Sequence, residues 1–281
     1  MPAFRPRVLV LLLSLAVLGA CSPYQKLLKS TNVNERYEAA VKYYEQGDYV
    51  KAETLLEPLI PLLKGRPEAE KAEFYFARAN YEEGNYTLSS YYFQTFAETY
   101  PSSPYAEEAL FMHAKSLFRD SPEYELDQTS TVTAIESIQA FLNRYPESKF
   151  RPETENMSNE LQRKLEVKAF EAAKLYHSVR YYQSAVVAFN TYQQQYPASL
   201  YGEQAAFLKL ASQHELAKES VEEKQRERFL EVVVFYQNFV DTYPQSKNLK
   251  AAEAMYDYAQ KFLKEHPDPA AKTAPTQAST N

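Results

Sequence analysis

The chain has 281 residues, which allows one or two domains, and its 45% hydrophobic and 24% charged residues are ordinary for a globular protein. Its five glycines leave almost no material for phosphate-binding loops or tight hairpins, which argues against nucleotide-binding folds. The formal net charge of −6, without any cluster of basic residues, argues against nucleic acid as a partner.

The N-terminus has the pattern of a secretory signal peptide, predicted over residues 1–20. It reads MPAFRPRVLVLLLSLAVLGA: two arginines, a largely apolar run and then small residues. The apolar run is too short to span a bilayer as a mature helix.

The chain's single cysteine follows at once, in the sequence LGAC, which resembles the lipobox of bacterial lipoproteins. The resemblance implies cleavage between Ala20 and Cys21, and a diacylglycerol and an N-acyl chain on Cys21; an ordinary signal peptide is the alternative. Three acyl chains would anchor the protein almost permanently. By resemblance to lipoprotein sorting rules, Ser22 favours the outer membrane, with the body of the protein facing the periplasm.

After a lipidated tether at 21–33, helical periodicity continues almost to the end, without any strand pattern. Four helical segments stop at the dipeptide Tyr-Pro, because proline cannot donate the next helical N–H and disfavours helix in the residue before it. A serine two residues after each proline is predicted to cap the next helix. The prolines are Pro101, Pro146, Pro197 and Pro244, and the serines are Ser103, Ser148, Ser199 and Ser246.

The segments between these breaks repeat, with small residues at matched places in both helices of each pair. Their pattern resembles the tetratricopeptide repeat (TPR). The predicted fold is all-α, a TPR solenoid of about five helix-turn-helix repeats plus a closing C-terminal helix over 34–265. The approximate boundaries are 34–66, 67–103, 104–148, 153–199 and 202–246, with the closing helix at 248–265 and a disordered tail at 266–281.

Two repeats are longer than the others. Repeat three has extra residues around SPEYELDQTST and repeat five around KESVEEKQRE. Such additions in a solenoid are commonly binding elaborations, and they are equally compatible with plain helix extensions.

The sequence contains no pattern of a catalytic site. None of the four histidines belongs to a zinc motif, and no nucleophile elbow or phosphate loop occurs. Adjacent acidic pairs on a helix point about 100° apart, so they do not share a face as two catalytic carboxylates would. We therefore expect a protein that is not an enzyme and has no metal, no small-molecule substrate and no cofactor beyond the lipid on Cys21.

The first helices of a TPR stack line its concave surface, and here they are rich in aromatic residues. Aromatic and arginine side chains combine apolar area with directional hydrogen bonds, which suits an extended peptide. The candidate groove residues are Tyr37, Tyr44, Phe74, Arg78 and Tyr81. The alternative is that each packs against a neighbouring repeat.

A lipobox, a short tether CSPYQKLLKSTN and five TPRs together resemble the BamD (ComL/YfiO) family of outer-membrane β-barrel assembly lipoproteins. That resemblance implies a non-enzymatic scaffold of the Bam complex. It implies binding to the POTRA region of a BamA-like barrel protein through repeats four and five, including KESVEEKQRERF. It also implies that the N-terminal repeats receive unfolded outer-membrane proteins. Two alternatives stay open: another periplasmic TPR lipoprotein adaptor for envelope or pilus assembly, and a surface glycan-binding lipoprotein, which the absence of tryptophan disfavours.

Overall fold

The computed structural model describes residues 23–267. Within that range the chain forms thirteen α-helices and no strand, which confirms the predicted all-helical fold. The helices are α1 (Pro23–Lys29), α2 (Val33–Glu45), α3 (Tyr49–Leu56), α4 (Ile60–Leu63), α5 (Ala69–Glu82), α6 (Tyr86–Thr99), α7 (Ala106–Asp120), α8 (Thr129–Arg144), α9 (Arg151–Ser178), α10 (Tyr182–Gln195), α11 (Gly202–Lys218), α12 (Glu222–Thr242) and α13 (Leu249–Glu265). None of these helices combines the length and the hydrophobicity needed to cross a membrane.

Several predictions concern residues outside the described range. The signal peptide at 1–20, its cleavage after Ala20 and the lipidation of Cys21 lie there, as does all of the tail beyond residue 267. They stay predictions.

The chain divides into two compact units. Of the described residues, unit 1 comprises 23–122 and Leu126–Leu161, and unit 2 comprises Glu123–Glu125 and 162–267. In unit 1 the helix pairs α2–α3, α5–α6 and α7–α8 pack as antiparallel hairpins, and in unit 2 α11–α12 does so and α13 packs on it. The 28-residue helix α9 contributes its first part to unit 1 and its second part to unit 2.

The small residues of the repeat pattern lie where two helices approach closely. Ala40, Ala52, Ala77, Ala173 and Ala185 are completely buried. A larger side chain at these places would force the helices apart, because protein interiors are close-packed.

The turn between the two helices of a hairpin uses a left-handed residue. Gly47 and Gly84 have φ of +77° and +82°, a conformation that glycine adopts without steric cost. In repeat four the same place is held by Arg180 with φ of +66°, which is unfavourable for a residue with a Cβ.

The Tyr-Pro dipeptides end the second helices, as predicted. Helix α6 ends at Thr99, and Tyr100 still donates its N–H to the Phe96 carbonyl while its φ of −123° leaves the helical region. The same geometry recurs at Tyr145, Tyr196 and Tyr243.

The predicted role of the serines as helix caps is wrong. Each serine Oγ accepts the N–H two residues later, as Ser148 does from Phe150 at 3.0 Å, and so forms a turn that precedes the helix. Three of the serine hydroxyls also donate to a glutamate in the first helix of their own hairpin. These pairs are Ser148–Glu107 at 2.6 Å, Ser246–Glu203 at 2.7 Å and Ser199–Glu166. The serine therefore fastens the end of a hairpin to its beginning.

The two longer repeats accommodate their additional residues in different ways. In repeat five the additional residues lengthen α11 and α12, which are separated by three residues only. In repeat three residues 121–128 form a non-helical segment, and Lys168 donates to the carbonyl of Tyr124 at 3.0 Å.

Candidate functional site

The candidate groove lies in unit 1, on the first helices α2, α5 and α7. Tyr44 of α2 stacks on Tyr75 of α5, with ring centroids 3.8 Å apart and planes 18° apart, and it meets Tyr49 edge-on at 5.6 Å. Burial raises the pKa of the Tyr44 phenol well above its usual range, so this side chain is a neutral hydrogen-bonding group at any physiological pH.

Arg78 connects α5 to α7. Its Nε donates to Glu82 Oε1 at 2.7 Å and its Nη1 donates to Glu108 Oε1 at 3.4 Å. Its guanidinium carbon lies 5.9 Å from the centre of the Tyr81 ring. The Arg78 side chain is only 29% exposed, so these two carboxylates compensate a charge that is mostly withdrawn from water.

Tyr81, one helical turn after Arg78 on α5, lies close to α7. It meets Tyr86 edge-on at 5.4 Å, and Lys115 Nζ of α7 lies 5.9 Å from its ring centre. Lys115 also forms an ion pair with Glu153 at 2.7 Å. Burial raises the pKa of Tyr81 as well. Arg78 is therefore a neighbour of Tyr81, and its charge also acts on the Tyr44 phenol.

Phe74 does not lie on the surface of the first helices, and its assignment to the groove is wrong. It is 4% exposed and lies in the hydrophobic core. Its ring stacks on Tyr105 at 4.8 Å and contacts Phe93 and Phe96 at 5.5 and 5.7 Å. Adjacent residues on a helix point about 100° apart, so Tyr75 occupies the surface position next to it.

Tyr37 takes an intermediate place. It lies three residues before Ala40, as Phe74 lies three before Ala77, and it packs half-buried against the cluster of Ala40, Leu55 and Leu56. Burial raises its pKa. Tyr37 is therefore mainly a packing residue of the first hairpin.

Sequence reasoning missed two members of the groove, Lys71 and Tyr75. Lys71 Nζ lies 5.0 Å from the centre of the Tyr75 ring and 3.8 Å from Glu45 Oε1 of α2. Lys71, Tyr75, Arg78 and Glu82 follow one another at intervals of three or four residues, so they share one stripe of α5. That spacing was the available signal.

The chemistry of the groove suits the binding of a peptide segment. It alternates aromatic rings with cations that already have a carboxylate partner, an arrangement that offers stacking area and hydrogen-bond donors. Between residues 23 and 267 no three histidine, cysteine or acidic side chains come together in a way that could hold a metal ion.

Comparison with known proteins identifies relatives. Residues 29–229 match the family model YfiO, described as an outer membrane lipoprotein. A protein of Aquifex aeolicus (strain VF5), "Putative outer membrane protein assembly factor BamD", is 28% identical over 181 residues. That alignment covers 64% of this chain and 59% of the relative, so the chain spans well under two thirds of the relative's length.

Two solved structures of kinesin light chain TPR-like repeats from Podosopora anserina are also similar. They share 15% and 16% identity, cover 83% and 89% of this chain and 95% and 100% of their own chains, and have TM-scores of 0.32. With such TM-scores neither bears on function. The family match, in contrast, extends over most of the chain, and this chain belongs to the YfiO family of outer membrane lipoproteins.

Proposed function

We propose that the protein is a non-enzymatic, lipid-anchored scaffold of the outer-membrane β-barrel assembly complex, facing the periplasm. The observation that carries this proposal is the match of residues 29–229 to the outer membrane lipoprotein family. The description of the Aquifex relative as an outer membrane protein assembly factor supports it. The anchor would be the lipid on Cys21, with outer-membrane lipid as the surface to which the scaffold is held.

The groove of unit 1 would receive unfolded outer-membrane proteins. An extended segment rich in aromatic residues would stack on the rings of Tyr44, Tyr75 and Tyr81, each such contact contributing about 0.5–1.5 kcal/mol. Lys71 and Arg78 would supply hydrogen bonds to peptide carbonyls or to a C-terminal carboxylate. Because both cations already have carboxylate partners, the surface would attract neutral or weakly acidic segments rather than strongly acidic ones.

Unit 2 would bind the POTRA region of a BamA-like barrel protein. Its segment KESVEEKQRERF runs from the end of α11 into the first turns of α12. Acidic and basic side chains alternate there, which favours an interface whose specificity comes from charge pairing.

A pulldown of the tagged full-length protein from mildly solubilised membranes, analysed by mass spectrometry, tests the partner. Near-stoichiometric recovery of a POTRA-containing barrel protein supports the proposal. Recovery of peptidoglycan, division or pilus factors without such a barrel protein contradicts it.

Site-specific photocrosslinking in cells tests the groove. A photoreactive amino acid at Tyr44 should capture newly made outer-membrane proteins, whereas the same probe at Tyr91, which is exposed on α6, should not. Equal capture at both positions would contradict the assignment of the groove while leaving the partner proposal intact.

A further inference from the structure

One residue of each hairpin shows how well that hairpin is covered by the other helices of its own unit. It lies three residues after the small alanine of the first helix, and in the five hairpins it is Tyr43, Asn80, Leu117, Tyr176 and His214. Asn80 is completely buried, His214 is 8% exposed, and Tyr43 and Leu117 are half-buried. Tyr176 is 42% exposed. Within unit 2, the α9–α10 hairpin therefore has an exposed face at Tyr176.

That face is a shallow apolar depression. Its volume is about 410 Å³, and it is lined by Tyr176, Gln183, Ser184, Val187 and Ala188. Val187 is 61% exposed. Val179, three residues after Tyr176 and just beyond the end of α9, is also exposed, as is Leu175 four residues before it. A contiguous apolar patch of this kind on a folded protein is typical of an interaction site.

The first hairpin shows what such a face holds when it is covered. There α1 lies against α2, and Tyr24 of α1 meets Tyr43 edge-on with ring centroids 5.7 Å apart. Leu27 and Leu28 of α1 pack on the same hydrophobic cluster. Because Tyr43 and Tyr176 occupy the same place in their hairpins, the occupant that fits the α9–α10 face is a short helix with one aromatic residue and two leucines.

The charges around the two faces differ in a way that defines the occupant further. In the first hairpin Lys51 lies 5.1 and 5.7 Å from the rings of Tyr43 and Tyr24. Its place in α10 is taken by Ser184. The charged residues near the α9–α10 face already have partners within the chain, in the pairs Lys174–Glu171 and Arg180–Glu219. The complementary surface of the occupant is therefore uncharged.

We propose that this face of unit 2 docks a short amphipathic helix of a partner protein, which presents one aromatic and two leucine side chains and no charge to Tyr176 and Val187. The geometry of the hairpins alone carries this proposal, so it does not depend on the function proposed above.

The chain itself supplies the probe, an acetylated synthetic peptide with the sequence of residues 22–32, SPYQKLLKSTN. It is titrated into the full mature protein with methyl-labelled valine and leucine, and the methyl signals of Val179 and Val187 are followed by NMR. We expect saturable shifts at both. A peptide in which alanine replaces the tyrosine and both leucines should cause none.

Matched variants locate the binding. Val187→Glu should weaken the binding of the peptide at least about tenfold, as expected for a central apolar contact. Val234→Glu, at a comparably exposed valine on α12, should leave the affinity for the peptide unchanged. Ser184→Arg gives the same test if Val187→Glu impairs folding.

Three results would overturn the proposal. The first is the absence of shifts at Val179 and Val187 at millimolar peptide. The second is shifts confined to the first hairpin, which would mean exchange with α1. The third is a dimer in sedimentation that Val187→Glu abolishes, which would assign the face to a second copy of this chain.

Discussion

Replacing Phe74 by alanine tests whether this residue is a core residue or part of the groove. Its ring lies against Phe93, Phe96 and Tyr105, with centroid distances of 5.5, 5.7 and 4.8 Å. The same cage recurs in unit 2 with every residue number raised by 96. There Phe170 lies 6.3, 5.6 and 4.8 Å from Phe189, Tyr192 and Tyr201.

The expected loss follows from this packing. Complete burial of a phenylalanine side chain contributes about 1.5–3 kcal/mol, and each aromatic pair adds about 0.5–1.5 kcal/mol. Phe74→Ala should therefore lower the free energy of unfolding of unit 1 by about 3–5 kcal/mol, the usual range for a buried phenylalanine. Tyr75→Ala removes a half-buried ring with one stacked partner, so we expect a loss of about 1–2 kcal/mol.

Hydrogen exchange measured by mass spectrometry reports the stability of the two units separately. Phe74→Ala should speed exchange in α5, α6 and α7 while peptides of α11 and α12 keep their protection. The matched variant Phe170→Ala should give the opposite pattern. If Phe74→Ala left the protection of unit 1 unchanged and only weakened client crosslinking at Tyr44, Phe74 would be a groove residue and the reasoning above would be wrong.

Three further predictions concern the turns, the serine contacts and the histidines. Gly84→Ala should lower the free energy of unfolding, measured in urea, by about 1–2 kcal/mol. The loss would come from backbone strain alone, because an added Cβ meets nothing within 4 Å. An unchanged unfolding midpoint would argue against a left-handed turn. Ser148→Ala should lower the free energy of unfolding by about 1–2 kcal/mol, because it leaves the Glu107 carboxylate without its hydrogen-bond donor. Glu107→Gln keeps an acceptor for Ser148 and should lower it less. The reverse order of the two losses would refute the contact. Burial lowers the pKa of His113, so protonation of this side chain favours the unfolded chain. The contribution of His113 to the free energy of unfolding should be fully present above a pH of about 6.5 and should fall as the pH drops below that value. A pKa of His113 at or above about 6.5, measured by NMR, would contradict this.

The fold class was accessible from the sequence because its signals are local. Glycine poverty, helical periodicity and the Tyr-Pro dipeptides each act within a few residues, so the ends of the second helices at Thr99, Arg144, Gln195 and Thr242 follow from proline chemistry alone. The contacts of Ser148 could not be read in the same way. They depend on a glutamate 41 residues earlier in the chain, and the cap that local reasoning assigned to the serine is absent.

The sequence did not show which of the candidate groove residues are buried, for one physical reason. Tyr44, Arg78 and Tyr81 are partly exposed on the first helices, whereas Phe74 lies in the core. A first helix that is packed on both sides has two buried stripes, so hydrophobicity does not show which aromatic residue faces outward. The repeat does show it, because aromatic residues recur at the place of Phe74 in three of the other four hairpins, as Tyr37, Phe111 and Phe170, and Tyr75 has no aromatic counterpart.

The residues that follow Tyr-Pro connect the exit of a hairpin to its own first helix. In hairpin α7–α8, Ser148 binds Glu107, and the aromatic residue two places later, Phe150, stacks on Phe111 at 4.2 Å with planes 6° apart. Hairpins α7–α8 and α9–α10 have both contacts, whereas α5–α6 has only the stacked aromatic, Tyr105 on Phe74, and α11–α12 only the serine–glutamate pair. The repeat thus sets the packing positions, and the stripe next to them on α5 carries Lys71, Tyr75, Arg78 and Glu82.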